Sequence, residues 1–207
     1  SYGLSVDVGL CLRHHAPMRA NRVQNQLRII GGRWRGRKLT FASLPGLRPT
    51  PDRVRETLFN WLSADIHGSR CLDLYAGSGA LGLEAASRGA SRVVLVDSSR
   101  EVVTSLRAQV AMLNANQVEI VQADAQQWLR GPAELFDIVF LDPPFAAGLL
   151  TTAMQLIEAN GWLAPEAFIY IEAEKGASLE LPPGWDIYRD KTAGQVDYRL
   201  IKRISTP

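Results

Sequence analysis

Cysteine is scarce: the chain of 207 residues holds two, Cys11 and Cys71. That excludes a disulfide scaffold, and neither a metal-ligand spacing nor a redox pair can be built from them. Cys71 reads as a small buried hydrophobe opening a core strand. Histidine is nearly as sparse; His14 and His15 are neighbours without a third ligand and read as solvated. No apolar run approaches the roughly 20 residues of a membrane span. Val6–Leu12 is apolar but too short and poorly flanked for a secretory signal. Internal repeats are lacking, and no long linker divides residues 70–203. These absences point to a protein of a reducing cytoplasm, working without metal or membrane; a monomer is expected.

What is present is unevenly charged. The formal net charge is +2. Residues 1–55 carry eleven Arg/Lys against two Asp, whereas residues 56–207 carry twelve against nineteen Asp/Glu. A basic N-terminal segment on an acidic body implies a polyanionic partner gripped at one end of the molecule.

Three regions follow: a weakly ordered tail over 1–26, a basic hairpin-and-helix extension over 27–66, and a catalytic domain over 67–207. The tail contains Met18, the expected biological start. From Leu27 to Phe41, apolar strand residues flank Gly31, Gly32 and Gly36, which predicts a β-hairpin. Arg28, Arg33, Arg35, Arg37 and Lys38 crowd it, with Trp34 among them. Arginine forks suit phosphate, and an aromatic ring suits a base; Trp34 equally suits packing against the body. After a Pro/Gly linker, Thr50-Pro51-Asp52 reads as helix cap, first-turn proline and first-turn acid. The helix runs to about Leu62, with Val54, Leu58 and Phe59 on its apolar side and Arg53 and Arg55 pointing elsewhere; Arg48 stands before it.

From Arg70, strands and helices alternate. Strands are expected at 71–75, 92–97, 118–122, 136–142, 167–172, 185–191 and 196–203, with helices at 80–87, 101–114 and 149–160. Five strands joined by crossovers, then a terminal hairpin, make an α/β fold of the class I methyltransferase kind. This is a Rossmann-like, mostly parallel seven-stranded sheet with an antiparallel terminal strand.

Gly77-Ser-Gly79-Ala-Leu-Gly82 turns the first strand into a helix. This G-x-G-x-x-G spacing serves both dinucleotides and S-adenosylmethionine (SAM). Asp73, in the strand just before it, suits a cationic amino-acid ligand and would repel a pyrophosphate. Asp97 ends the second strand, where an acid accepts ribose hydroxyls. Asp124, followed by Ala125, ends the third, where an acid can bond an adenine amine. Tyr75, ending that first strand, and Ser78, in the glycine turn, join the candidate cofactor residues.

Asp142-Pro143-Pro144-Phe145 ends the fourth strand. The prolines fix the backbone and remove two donors. A rigid acceptor pair remains, the Asp142 carboxylate and the Pro143 carbonyl. It can take both hydrogens of an exocyclic amine and turn the nitrogen toward a methyl group, while Phe145 stacks on the flipped base. Guanine N2, adenine N6, cytosine N4 and a glutamine side chain all meet this description. A DNA adenine methyltransferase therefore stays open, although no target-recognition domain is evident. So does a non-catalytic RNA-binding assembly factor, which would not need this motif. A dinucleotide oxidoreductase would need a catalytic His, a Tyr-Lys pair or a flavin partner, none of which is placed for it.

Residues 27–203 resemble the bacterial 16S ribosomal RNA guanine-N2 methyltransferase family (RsmD-like). The specific stretches are Arg28-Ile-Ile-Gly-Gly-Arg-Trp-Arg-Gly-Arg-Lys-Leu39 and Leu47-Arg-Pro-Thr-Pro-Asp-Arg-Val-Arg-Glu-Thr-Leu-Phe-Asn-Trp-Leu62. Residues 73–84 and 142–145 match more widely among methyltransferases. The resemblance implies methyl transfer from SAM to N2 of one guanine in the 16S rRNA of an assembled or assembling 30S subunit. It assigns SAM to Asp73, Gly77, Gly79, Asp97 and Asp124, and the guanine to Asp142, Pro143 and Phe145. RNA contact falls to Arg33, Arg35, Arg37, Lys38, Arg48, Arg53 and Arg55, with Pro144 beside the base.

Overall fold

The computed structural model describes residues 25–144 and 148–204. Residues 1–24 of the tail, with Cys11 and Met18, and also Phe145 therefore lie outside the described residues; Asn25 and Gln26, expected in the tail, instead open the first strand.

The order is β1 (Asn25–Arg28), β2 (Lys38–Phe41), α1 (Asp52–Trp61), β3 (Arg70–Asp73), α2 (Ala80–Ser87), β4 (Arg92–Asp97), α3 (Arg100–Leu113), β5 (Val118–Gln122), α4 (Ala125–Leu129), β6 (Phe136–Leu141), α5 (Leu149–Ala159), β7 (Leu163–Glu174), β8 (Trp185–Ala193) and β9 (Val196–Arg203). The main sheet runs β5-β4-β3-β6-β7-β9-β8. Neighbours from β5 to β7 are parallel; β9 is antiparallel to both β7 and β8. The seven-stranded, mostly parallel sheet with an antiparallel last strand is thus present.

Strand order reverses between β3 and β6, and crossovers leave from there in opposite directions. In an open sheet this is where a crevice forms at the carboxyl ends of the strands. Asp73 ends β3, and Asp142 directly follows β6. Topology alone therefore brings these two acids together.

Alternation along the strands divides the interior in two. Cys71, Val93, Leu95, Ile138 and Phe140 face one layer, which holds α2, α1 and the β1–β2 pair. Leu72, Val94, Val96, Val139 and Leu141 face the other, with Met154 and Ile157 of α5 and Trp162. Every residue of α2 is buried, because the sheet covers one side and the N-terminal extension the other. Cys71 is fully buried, and desolvation pushes its thiol up to about 12, so it stays protonated and inert.

Some local expectations change. The hairpin strands are only four residues each, paired Leu27 to Leu39, and residues 29–37 form a broad turn. Pro51, not Thr50, sits at the α1 cap position, and the Thr50 hydroxyl bonds Glu172 instead. The short helix α4 follows Asp124 where no helix was expected. β7 begins earlier, at Leu163, through an irregular pairing with β6.

Candidate active site

The glycine turn carries Gly77 at φ 54° and Gly79 at φ 80°, a region that favours glycine. The space that their side chains would fill is occupied by protein. A Cβ on Gly79 would meet Leu106 at 2.7 Å, and one on Gly77 would meet Leu47 at 2.9 Å. At Gly82 a Cβ would lie 2.1 Å from Leu95. These glycines thus serve tight packing of α2 on β4 and α3, and cover of the turn by the Pro/Gly linker. Ser78 is buried, and its hydroxyl oxygen accepts the Ala80 N–H at 3.3 Å inside the turn.

The strand-end acids are placed as follows. Asp73 is 2% exposed and accepts the Gly82 N–H at 3.0 Å. Burial, with Asp97 adding to it, pushes its carboxyl up to about 7 despite that hydrogen bond. Asp97 accepts Gly77 N–H at 3.0 Å and Ser99 N–H at 2.9 Å, which ties the end of β4 to the glycine turn. Asp124 caps α4 by accepting Gln127 N–H at 3.0 Å, and Ala125 is buried behind it. The Tyr75 hydroxyl is shielded from solvent yet has no hydrogen-bond partner among the described residues. Burial, then the charge of Asp124, raises its ionisation above the usual range.

Asp142 is half-buried, Pro143 is buried and Pro144 is exposed. Burial raises the Asp142 carboxyl well above the ordinary range, helped by Glu172 and then by Asp73. Glu172 was not among the residues singled out from the sequence. Leu141 of β6 pairs with Ile171 of β7, so Asp142, just past β6, and Glu172, near the end of β7, stand side by side, which only the register shows. Among the described residues no Lys or Arg forms an ion pair with Asp73, Asp142 or Glu172.

This arrangement tests cofactor chemistry. A crevice rimmed by uncompensated carboxyls favours a cation and opposes a pyrophosphate. A ligand carrying a sulfonium, an α-ammonium and a hydroxylated ribose fits both the acids and the unpartnered Tyr75 hydroxyl.

The basic extension lies on α2. Glu84 is fully buried and accepts Ile30 N–H at 3.0 Å and Gly31 N–H at 2.8 Å. Ser87 adds a hydroxyl bond to the Gly31 carbonyl at 2.6 Å, and its own carbonyl accepts Arg33 N–H at 2.7 Å. Trp34 is buried in the core, so it packs on the body and is not offered to a base. Arg33, Arg35, Arg37, Lys38, Arg48 and Arg53 are exposed.

Arg55 corrects the sequence reading: it is fully buried, not RNA-facing. It donates to the Thr50 and Arg28 carbonyls, pairs with Asp52 and lies 3.5 Å from Glu84. Asp52 and Glu84 draw the guanidinium inward, where such a group is stable only when paired and hydrogen-bonded. Glu84 itself was quoted in the sequence without a role; nothing in its spacing marks it as an anchor for a loop more than fifty residues away.

Comparison with known proteins places the chain. The family model described as "Conserved hypothetical protein 95" matches residues 27–202. The chain belongs to this family.

A curated relative, ribosomal RNA small subunit methyltransferase D of Escherichia coli, is 51% identical over 179 residues, covering 86% of this chain and 90% of the relative. Its namesake from Haemophilus influenzae is 45% identical, covering 86% and 94%. Among solved structures, a putative methyltransferase from Escherichia coli superposes with a TM-score of 0.81 at 50% identity, over 88% of this chain and all of that one. An RNA methyltransferase from Salinibacter ruber in complex with S-adenosyl-L-homocysteine has a TM-score of 0.57 at 18% identity, over 77% of this chain and 96% of that one; it supports the fold alone. The family match spans both the basic extension and the sheet, so the two halves of the site are one inherited unit.

Proposed function

We propose that the chain transfers a methyl group from SAM to the exocyclic N2 amine of one guanine in 16S rRNA, within the 30S subunit or its assembly intermediate, as a cytoplasmic monomer. Its membership of the ribosomal RNA methyltransferase family supports the reaction class. The carrying observation is the Asp142-Pro143 acceptor pair at the switch point, beside the uncompensated acid Asp73. In this reading Asp73 faces the α-ammonium, Asp97 the ribose and Asp124 the adenine amine, with Tyr75 closing the pocket. SAM, when bound, supplies an electrophilic methyl on a sulfonium. The protein's own part is positioning: Asp142 and the Pro143 carbonyl hold the amine's hydrogens and turn its nitrogen into line.

RNA is held by the exposed arginines of the turn and by Arg48 and Arg53. A cavity of about 300 Å³ opens between the β1–β2 pair and the start of α1; Arg28, Lys38, Thr50 and Arg55 are among its lining residues. Because Thr50 also bonds Glu172, the cavity adjoins the amine site, as the path of a nucleic-acid strand would require.

The test is incubation of the protein and labelled SAM with 30S subunits lacking the modification, then nucleoside analysis by mass spectrometry. N2-methylguanosine at one site is expected. Label in N6-methyladenosine would overturn the substrate assignment, and label absent from RNA would overturn the function.

A further inference from the structure

Glu172 occupies a position for which the reaction above has no assigned residue. It stands near the carboxyl end of β7, two residues before Glu174, one strand over from Asp142, and is half-buried. Two hydroxyls hold it from different parts of the chain. Tyr170, two residues earlier on the same face of β7, donates to Glu172 Oε1 at 2.5 Å. Thr50, from the segment entering α1, donates to the same oxygen at 3.3 Å. Both donors on Oε1 leave Oε2 for another partner, and the Leu141–Ile171 register sets the Asp142 carboxyl beside it on the adjacent strand.

Two carboxyls in contact cannot both ionise cheaply, so one proton is shared between them. The hydroxyls decide where it sits. Both donate to Glu172, which stabilises the anion there and leaves the proton on Asp142. The other groups facing the pair do not alter this: Asp73 ends β3, the strand on the other side of β6, and Tyr198 of β9 is opposite Glu172 in register. Neither supplies positive charge.

We propose that Glu172 is a positioning residue for the methyl transfer: fixed by Tyr170 and Thr50, it orients Asp142 through a carboxyl–carboxylate hydrogen bond and takes up the proton that Asp142 passes on. This rests on the proposed function and assigns its proton path. As the amine lone pair forms the N–C bond, the C–S bond breaks and leaves a neutral thioether. The nitrogen proton moves to the free oxygen of Asp142 while the Asp142 hydroxyl proton moves to Glu172. One proton leaves the amine and one arrives at Glu172, so charge and atoms balance. Asp142 thus serves as donor and acceptor at once, and Thr50 ties this pair to the RNA-binding extension.

The experiment combines single-turnover transfer on unmodified 30S subunits with ¹³C carboxyl titration of the ligand-free protein by NMR. Glu172→Gln keeps the shape and removes the acceptor. The transfer rate is expected to fall roughly tenfold or more, with SAM affinity within about twofold as the check that the variant is folded. The Asp142 carboxyl is expected to titrate lower than in wild type, because the neighbouring charge is gone. Tyr170→Phe, which keeps both carboxyls and removes one donor, is expected to lower the rate by a smaller factor. An unmoved Asp142 titration, or rates equal to wild type in both variants, overturns the proposal alone. Wild-type protein that methylates no RNA overturns the proposed function and this step with it.

Discussion

Asp73 carries a prediction about SAM that does not depend on RNA. Its folded value of about 7 lies above the ordinary aspartate value of 3.8. In the ligand-free protein it therefore holds a proton that the unfolded chain would release. Its contribution favours folding fully below pH 3.8 and is lost as pH rises through about 7. An α-ammonium beside it reverses that preference by stabilising the carboxylate. SAM affinity should then rise with pH up to about 7, with proton release on binding. Calorimetry in buffers of differing ionisation enthalpy checks this, and Asp73→Asn should abolish the rise. At this scale the sequence showed Asp73, Asp97, Asp124 and Asp142 through one rule, acids at strand ends. It failed for Arg55, whose spacing matches its exposed neighbour Arg53, because burial there depends on Glu84 from a distant helix.

The turn over residues 29–37 is an element held by another element. Gly32 has φ 79°, and a Cβ there would stand 2.0 Å from the Ser87 carbonyl oxygen. Gly32→Ala should cost more than about 1 kcal/mol in stability, read as a lowered denaturation midpoint, and should weaken 30S binding as the turn lifts from α2. The exposed charges make a separate prediction. Reversing Arg35 and Arg37 should weaken 30S binding and flatten its salt dependence, leaving SAM affinity intact. A salt-independent loss would mark misfolding instead. Periodicity made most strands and helices legible, β4 and β5 to the residue, because apolar alternation is local. The broad turn was not: four-residue strands closing it carry little pattern, and its shape comes from Glu84 and Ser87.

At the scale of the molecule, strand order places the chemistry. The reversal between β3 and β6 puts Asp73 beside Asp142, and the β6–β7 register adds Glu172. The alternation of strands and helices predicted the sheet, yet not which strand ends become neighbours, so the Asp142–Glu172 contact was invisible until the register was known. The central claim is a division of labour at this reversal, with Asp142 acting on the amine and other acids on SAM. Asp142→Ala tests it most directly, by single-turnover transfer to unmodified 30S subunits alongside SAM calorimetry. The account predicts that transfer is lost while SAM affinity stays nearly intact; persistent transfer, or loss of SAM binding with it, would contradict the account.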